Sequence, residues 1–476
     1  MPVEGVLYSP HPPILIPEIG RGEEHGAEKT LAGMERLARG GADLGPDVIL
    51  CIPPHGPVFQ DGLCVMRGES LSGDFGQFGR PGVGLTLPID EDTADVFMGL
   101  LDRGGIPHVG MDGDTARRYG VKRALDHGCL VPLYFIHGKY QDFRIVHITI
   151  GLLPLAEMYA AGRLLAEAVS QAGVRAVVLA SGDLSHCLSD QGPYHFHPKG
   201  EVFDHKVETI IQSGNLMELA QIPADLYEPA GQCGLPSFVM GAGALDGRKA
   251  RTEVFSYEGP FGVGYLTGVA RPMAGEAESG LTALREARDG AYQRRVDTED
   301  DYIALARRTI EAYIAGGRRP RWPDGKDAVS DPDALARMER ERAGTFVSLH
   351  RDGQLRGCIG TIAPTRKSLG EEIMANALEA CARDPRFSPV RQSELSDLDV
   401  KVDILHPFEP IESTEELDPV KYGVIVESRG RRGLLLPNLE GVDTVAEQVS
   451  IAKRKAGIGE GEDVKLFRFM VERHEA

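Results

Sequence analysis

Fourteen histidines are spread unevenly along the 476-residue chain: eleven lie between His11 and His205, and only His350, His406 and His474 follow. Imidazole is the commonest metal ligand and the side chain that titrates nearest neutral pH, so the crowding points to metal or acid–base chemistry in the first half. Three of these histidines stand where a loop leaves an apolar run. They are His11 in Ser9-Pro10-His11-Pro12-Pro13, His55 in Pro53-Pro54-His55-Gly56-Pro57, and His186 in Gly182-Asp183-Leu184-Ser185-His186. Neighbouring prolines stiffen the first two segments, which reduces the entropy lost on ordering a ligand. A fourth, His127, sits in Leu125-Asp126-His127-Gly128-Cys129, ahead of the strand-like run Leu130-Val131-Pro132-Leu133. Position alone fits separate loop histidines as well as it fits one shared site. The seven cysteines are odd in number, scattered and without a Cys-x-x-Cys pair, so neither a disulfide framework nor a zinc ribbon is indicated.

Residues in such places need elements to bring them together. Apolar runs at 47–51, 144–150 and 175–180 predict buried strands, and 254–257 with 263–269 predict two more. Between them, 23–42, 94–101, 153–172 and 201–211 carry apolar residues at helical spacing. This alternation predicts an α/β domain over 1–270 with a central, mostly parallel sheet. In open sheets of that kind ligands collect outside the carboxyl ends of the strands, where His11, His55 and His186 would stand. Residues 271–295 are polar and predict a linker passing into a helix. The remainder, 296–476, predicts an α+β domain around a partly antiparallel sheet. Its strands are expected at 344–349, 355–362, 400–405, 424–427 and 433–436, and its helices at 300–315, 369–383 and 445–456.

Composition narrows the function classes. With 52 basic and 71 acidic residues the formal net charge is −19, which argues against a sequence-independent grip on nucleic acid or an anionic membrane. No apolar run approaches the roughly eighteen residues of a membrane span, and Met1-Pro2-Val3-Glu4-Gly5 lacks the regions of a signal peptide. A soluble, cytoplasmic protein acting on a small molecule is expected. The sequence sets no oligomeric state.

Taken together, His11-Pro12-Pro13, Pro54-His55-Gly56, Asp126-His127-Gly128 and Gly182-Asp183-Leu184-Ser185-His186 resemble, in order, the motifs of the class III extradiol dioxygenases of LigB-like fold, over roughly residues 3–270. The resemblance implies a non-haem Fe(II) held by His11 and His55, with His186 as the base on a catechol hydroxyl and His127 as a supporting acid–base group. The family's third ligand is a glutamate. The stretch where it is expected reads Tyr227-Glu228-Pro229-Ala230-Gly231-Gln232-Cys233-Gly234. Glu228 is one candidate, whereas Cys233-Gly234 resembles the Memo branch of the same fold, in which a cysteine joins two histidines. Cys233 is favoured over Glu228. A thiolate softens the site and opens it to Zn(II) or Cu(I) beside Fe(II). The same Cys233 also suits a small buried residue packing the start of a helix.

In the second half, Leu355-Arg356-Gly357-Cys358-Ile359-Gly360 sets a cysteine between glycines and beside an arginine, surroundings that suit a reactive thiol or a tight strand–turn. This segment, with Asp384-Pro385-Arg386-Phe387-Ser388-Pro389 after it, resembles the AMMECR family over roughly 296–474. That resemblance implies a fold and a cleft around Arg356, Gly357 and Cys358, with Asp384, Arg386 and Glu394 as possible neighbours, and no reaction. The two modules in one chain resemble the AmmeMemoRadiSam arrangement, which implies a radical-SAM protein partner. The expected function is an extradiol-type, iron-dependent oxidoreductase acting on an aromatic diol. The alternative is a metal-binding, non-dioxygenase protein in a modification pathway.

Overall fold

The computed structural model describes residues 3–351, 353–439 and 441–476. Met1 and Pro2, which open the N-terminal segment read above, lie outside them. The chain divides into two units, Met1–Arg285 and Glu286–Ala476.

Among its described residues the N-terminal unit carries ten strands: β1 (Val3–Ser9), β2 (Val48–Ile52), β3 (Leu63–Met66), β4 (Ser70–Phe75), β5 (Arg80–Pro88), β6 (His108–Met111), β7 (Arg144–Thr149), β8 (Ala176–Ser181), β9 (Arg248–Glu258) and β10 (Tyr265–Glu276). Strands β4 and β5 pair as a separate hairpin, and the rest form one sheet in the order β6-β3-β7-β2-β8-β1-β10-β9. The middle of that sheet is parallel, β7 with β2, β2 with β8 and β8 with β1, while β10 and β9 run antiparallel at one edge. Strands β2 and β8 are buried at every position, as expected where helices cover both faces. The period of two divides their side chains. Val48, Leu50 and Val178 join the apolar cluster with helices Leu155–Ala172 and Leu235–Gly243. Ile49, Cys51 and Val177 join the opposite one with helices Glu28–Asp43 and His127–His137.

Three findings differ from the sequence expectation. The run after His127 is a helix, His127–His137, capped by Asp126, whose carboxylate accepts the Gly128 N–H. Gly128 to Leu133 are all buried, so the residues are apolar on every side and carry no helical stripe to read. Residues 271–295 are ordered: β10 runs to Glu276 and a helix spans Gly280–Thr298, with Leu281 and Leu284 buried. The third is the C-terminal sheet, read as partly antiparallel.

The described residues of the C-terminal unit form eight strands: β11 (Thr345–Arg351), β12 (Gln354–Gly360), β13 (Leu398–Leu405), β14 (Glu409–Ile411), β15 (Gly423–Ser428), β16 (Arg431–Leu435), β17 (Lys465–Phe469) and β18 (Val471–His474). Among the described residues they form two four-stranded sheets, β12-β11-β13-β18 and β14-β17-β15-β16, and every pairing is antiparallel. Helices Asp301–Gly316 and Leu369–Ala382 pack on the first sheet. Helix Val445–Lys455 packs on the second. The α/β and α+β division of the chain is therefore the observed one.

Candidate metal centre

Strands β2, β8 and β1 are adjacent and parallel, so the loops that leave them open on one edge of the sheet. That edge gathers His55, His186 and His11. His11 Nε2 lies 3.1 Å from His55 Nε2 and 3.8 Å from Cys233 Sγ, and the donor atoms of His11, His55 and Cys233 all fall within 4.8 Å of one another. Two nitrogens each bound at about 2.0–2.1 Å in a tetrahedral site stand about 3.3 Å apart, and a nitrogen and a sulfur about 3.6 Å. The observed separations match one shared ion, and two imidazoles with a thiol are a soft-to-borderline donor set.

The ligands are held by the backbone around β8. Asp183 is the hub: its Oδ1 accepts the His11 N–H at 2.9 Å, and its carbonyl accepts the N–H groups of Cys233 and Gly234 at 3.3 and 2.9 Å. Its own N–H donates to Cys233 Sγ at 3.2 Å. This lacing requires the chain at 182 to touch the chain at 234, and both positions are glycine. A Cβ on Gly182 would fall 2.8 Å from Gly234 N and nearer still to its Cα.

A second device sets the His11 ring. Pro132 lies inside helix His127–His137 and has no N–H for the carbonyl of Gly128, four residues earlier. The Ser181 hydroxyl donates to that carbonyl instead. Its proton is thereby committed, so Ser181 Oγ accepts from His11 Nδ1–H at 3.1 Å. The Nε2 lone pair of His11 is left facing His55 and Cys233, the tautomer a metal ligand needs.

Two further imidazoles stand over the centre. The His127 ring stacks on His55 at 4.5 Å between centroids and meets Phe78 edge-on at 5.5 Å. Gln77 Nε2 reaches its Nδ1 at 3.4 Å. His186 Nε2 lies 4.0 Å from both Cys233 Sγ and Asp183 Oδ2, with Tyr194 across its ring. Burial pushes His11 down to about 3 and His127 down to about 4, helped in both by the neighbouring imidazoles. Burial also lowers His186, against the pull of Asp183. All three rings are therefore neutral at physiological pH, with lone pairs free for a metal or a proton. Burial raises the Asp183 carboxyl to about 6, opposed by the bond from the His11 N–H and by the neighbouring imidazoles. The Cys233 thiol is pushed well up by burial and then by Asp183, a direction that a bound cation reverses.

Among the residues singled out from sequence, His11, His55, Cys233, His127 and His186 come together. Glu228 ends the short helix Ala224–Tyr227 and lies outside the donor group. Several partners were not singled out from sequence: Asp183 and Asp126, which stand inside quoted motifs, and Ser181 with Pro132, Gln77 and His147, which had no signal of their own. His147 is wholly buried with Nε2 3.1 Å from Asp126 Oδ2. An aspartate three residues ahead of a candidate histidine was the one legible hint. In the C-terminal unit Arg356 pairs with the buried Glu394, and Asp384 accepts the Cys358 N–H at 2.9 Å.

Comparison with known proteins identifies two families along the chain. The family described as the catalytic LigB subunit of aromatic ring-opening dioxygenase matches residues 5–268, and the AMMECR1 family matches residues 303–474. A protein of Clostridium acetobutylicum is 41% identical over 478 residues, covering 100% of this chain and 99% of its own. A protein of Thermotoga maritima is 52% identical over 180 residues, 37% of this chain and 98% of its own. Among solved structures, an uncharacterised protein of Pyrococcus horikoshii aligns at 31% identity over 36% of this chain and 88% of its own, with a TM-score of 0.32. One from Escherichia coli K12 aligns at 17% identity over 56% of this chain and 99% of its own, with a TM-score of 0.38. The chain belongs to the LigB family, with an AMMECR1 domain following its LigB domain.

Proposed function

We propose that the N-terminal unit is a metal-dependent oxidoreductase of the extradiol type, taking O2 and an aromatic diol or a related small molecule. His11, His55 and Cys233 would hold the metal, Fe(II) in the first instance. When bound, such an ion supplies open positions where a diol and O2 meet. The chain's own part is to receive and return protons. His186, neutral and beside the donor group, takes the proton of a diol hydroxyl, and His127, stacked on His55, assists. The observation that carries this reading is the convergence of His11, His55 and Cys233 with His186 Nε2 4.0 Å from the Cys233 sulfur. The family description adds weight to it.

One observation favours a second reading. The third donor is a thiol, which suits Zn(II) or Cu(I) as well as Fe(II). On that reading the protein is a Memo-like metal-binding, non-dioxygenase component that acts with a radical-SAM partner on a protein or cofactor. A cytoplasmic location goes with either reading, since all seven cysteines are free thiols. No helix among the described residues is long and apolar enough to cross a membrane. Metal analysis of anaerobically purified protein, followed by O2 uptake with a panel of catechols, separates the two. Bound iron, with ring cleavage lost and metal retained in His186→Ala, supports the first. Stoichiometric metal without O2 consumption across the panel leaves the second.

A further inference from the structure

A second group of donors lies inside the N-terminal unit, beneath helix His127–His137 and apart from His11, His55 and Cys233. Strand register sets it. Along β7, Val146 and Ile148 join one apolar cluster and Ile145 the other, so by the alternation of a strand His147 points with Ile145 toward the face that this helix covers. Cys51 on the neighbouring strand β2 is the in-register partner of His147 and belongs to that same face. The helix brings Cys129 onto the face from above. Its start touches the chain just past β2, where a Cβ on Gly128 would meet Pro53 Cβ at 3.1 Å. Burial, and then the Cys51 thiol beside it, push the Cys129 thiol well up. Asp126, the N-cap, completes the group: Oδ1 accepts the Gly128 N–H at 2.7 Å, and Oδ2 stands 3.1 Å from His147 Nε2.

Donor atoms of Asp126, Cys129 and His147 all fall within 4.8 Å of one another. A nitrogen and an oxygen bound to one tetrahedral zinc stand about 3.3 Å apart, close to the separation of the His147–Asp126 pair. Solvent is shut out: Cys51, Cys129 and His147 are fully buried, and the Asp126 side chain is 12% exposed. Among the described residues the carboxylate forms its ion pair with His147 and none with a lysine or arginine. Buried charges are paired with a countercharge or coordinate a metal. The ring is short of a partner as well, since His147 Nδ1 is buried and meets none among the described residues. A carboxylate, an imidazole and two thiols thus share an enclosed space that holds no side-chain ammonium or guanidinium paired to them.

We propose that Asp126, Cys129, His147 and Cys51 hold a Zn(II) ion in a second, structural site. Four protein donors leave no open position, which separates a structural zinc from a catalytic one. On binding, Zn(II) sheds its waters, each sulfur donates a lone pair to it, and the thiol protons pass to water; nothing is oxidised or reduced. Because the site is enclosed, the ion enters as the chain folds. Once bound it pins the helix that begins at His127 to the strand whose following loop carries His55. None of this depends on which metal the first centre takes, or on whether it takes one.

Zinc is counted by inductively coupled plasma mass spectrometry on full-length protein expressed with added Zn(II) and freed of loose metal by gel filtration. His11→Ala/Cys233→Ala removes two donors of the first centre and should retain about one equivalent of Zn(II) per chain. Adding Cys129→Ala should weaken that zinc at least about 100-fold, read by competition with a chromophoric chelator. If the triple variant loses the wild-type circular dichroism melt, Co(II) is put in place of Zn(II) in the His11→Ala/Cys233→Ala protein. It should then show thiolate-to-cobalt charge transfer that Cys51→Ala weakens. No zinc in folded His11→Ala/Cys233→Ala protein, or retained zinc indifferent to both Cys129→Ala and Cys51→Ala, overturns the proposal. A wild-type protein holding a single equivalent that His11→Ala/Cys233→Ala leaves in place supports it and counts against the first centre.

Discussion

Gly182→Ala should dismantle the proposed metal centre while leaving every donor residue unchanged in type. The added methyl would fall 2.8 Å from Gly234 N and nearer to its Cα, with the carbonyl carbon at 3.2 Å. Carbon atoms rest about 3.5–4.0 Å apart, so one backbone must retreat by about 1.5–2 Å, and no flexible side chain stands between them to yield instead. Gly234 is the natural segment to move, because Asp183 is fixed at the end of β8, and Gly234 takes Cys233 with it. Metal–ligand distances tolerate only about 0.2 Å. The shift therefore removes the thiol from a set that begins 3.8 Å from His11 Nε2, and metal affinity should fall on the order of 100-fold. Overpacking of this kind costs about 1–3 kcal/mol of stability, so the protein should stay folded. Metal content by inductively coupled plasma mass spectrometry, with a chelator competition for affinity, reads the outcome. Gly82→Ala, where a Cβ meets nothing within 4 Å, is the control. Full metal stoichiometry and unchanged affinity in Gly182→Ala would refute the claim that this glycine contact sets the thiol.

Two further outcomes follow from the hydrogen-bond geometry. Ser181→Ala removes the acceptor for His11 Nδ1–H and frees the carbonyl left open by Pro132. Metal affinity should drop about 10–100-fold, as for other partners that orient a ligand histidine, with His11 itself intact; chelator competition measures it. In the C-terminal unit the Asp384 carboxyl is depressed, by Arg386, from 3.8 to about 2. A depressed carboxylate stabilises the folded state above its unfolded pKa and ceases to do so as pH falls through the folded one, so the loss lies between about pH 4 and 2. At about 1.4 kcal/mol per unit this is about 2 kcal/mol, and about 1–2 kcal/mol once the half-exposed Arg386 is allowed for. Urea melts of Asp384→Asn should be less stable than wild type by that amount at pH 7, with the gap closing below pH 3.

Much of the centre was legible because its histidines follow strands that any α/β sheet sets side by side, and the prolines beside His11 and His55 mark where those strands stop. His127 was recognisable as a residue while its element was misread. A helix buried on all sides has lost the periodicity that distinguishes it from a strand. Strand β3 is an apolar run too short to stand out and β6 is equally short, four residues each, while the largely exposed β5 has no apolar run to find. The supports are illegible for a different reason. Asp183 reaches His11 across 172 positions, and Ser181 matters through a carbonyl orphaned by a proline on another helix.

The choice between Glu228 and Cys233 turns on how near the backbone comes to the site. Two N–H groups at 233 and 234 share the Asp183 carbonyl, so the chain there is tied to the end of β8. From that anchor the Cys233 sulfur, one bond beyond Cβ, already stands 3.8 Å from His11 Nε2. An aspartate at 233 would extend about one bond further and a glutamate about two, each bond about 1.5 Å. A glutamate must therefore fold back or drive into the rings of His11 and His55, whereas an aspartate reaches the same space with a small tilt. Cys233→Asp should then bind Fe(II) within about tenfold of wild type while losing preference for Zn(II) and Cu(I), because oxygen is the harder donor. Cys233→Glu should bind any of the three at least about 100-fold more weakly, the scale of losing one ligand's placement. Equal Fe(II) affinity in the two variants, measured by anaerobic titration, would show that the backbone spacing does not select the short side chain. The thiol would then be exchangeable for the glutamate that the extradiol enzymes use.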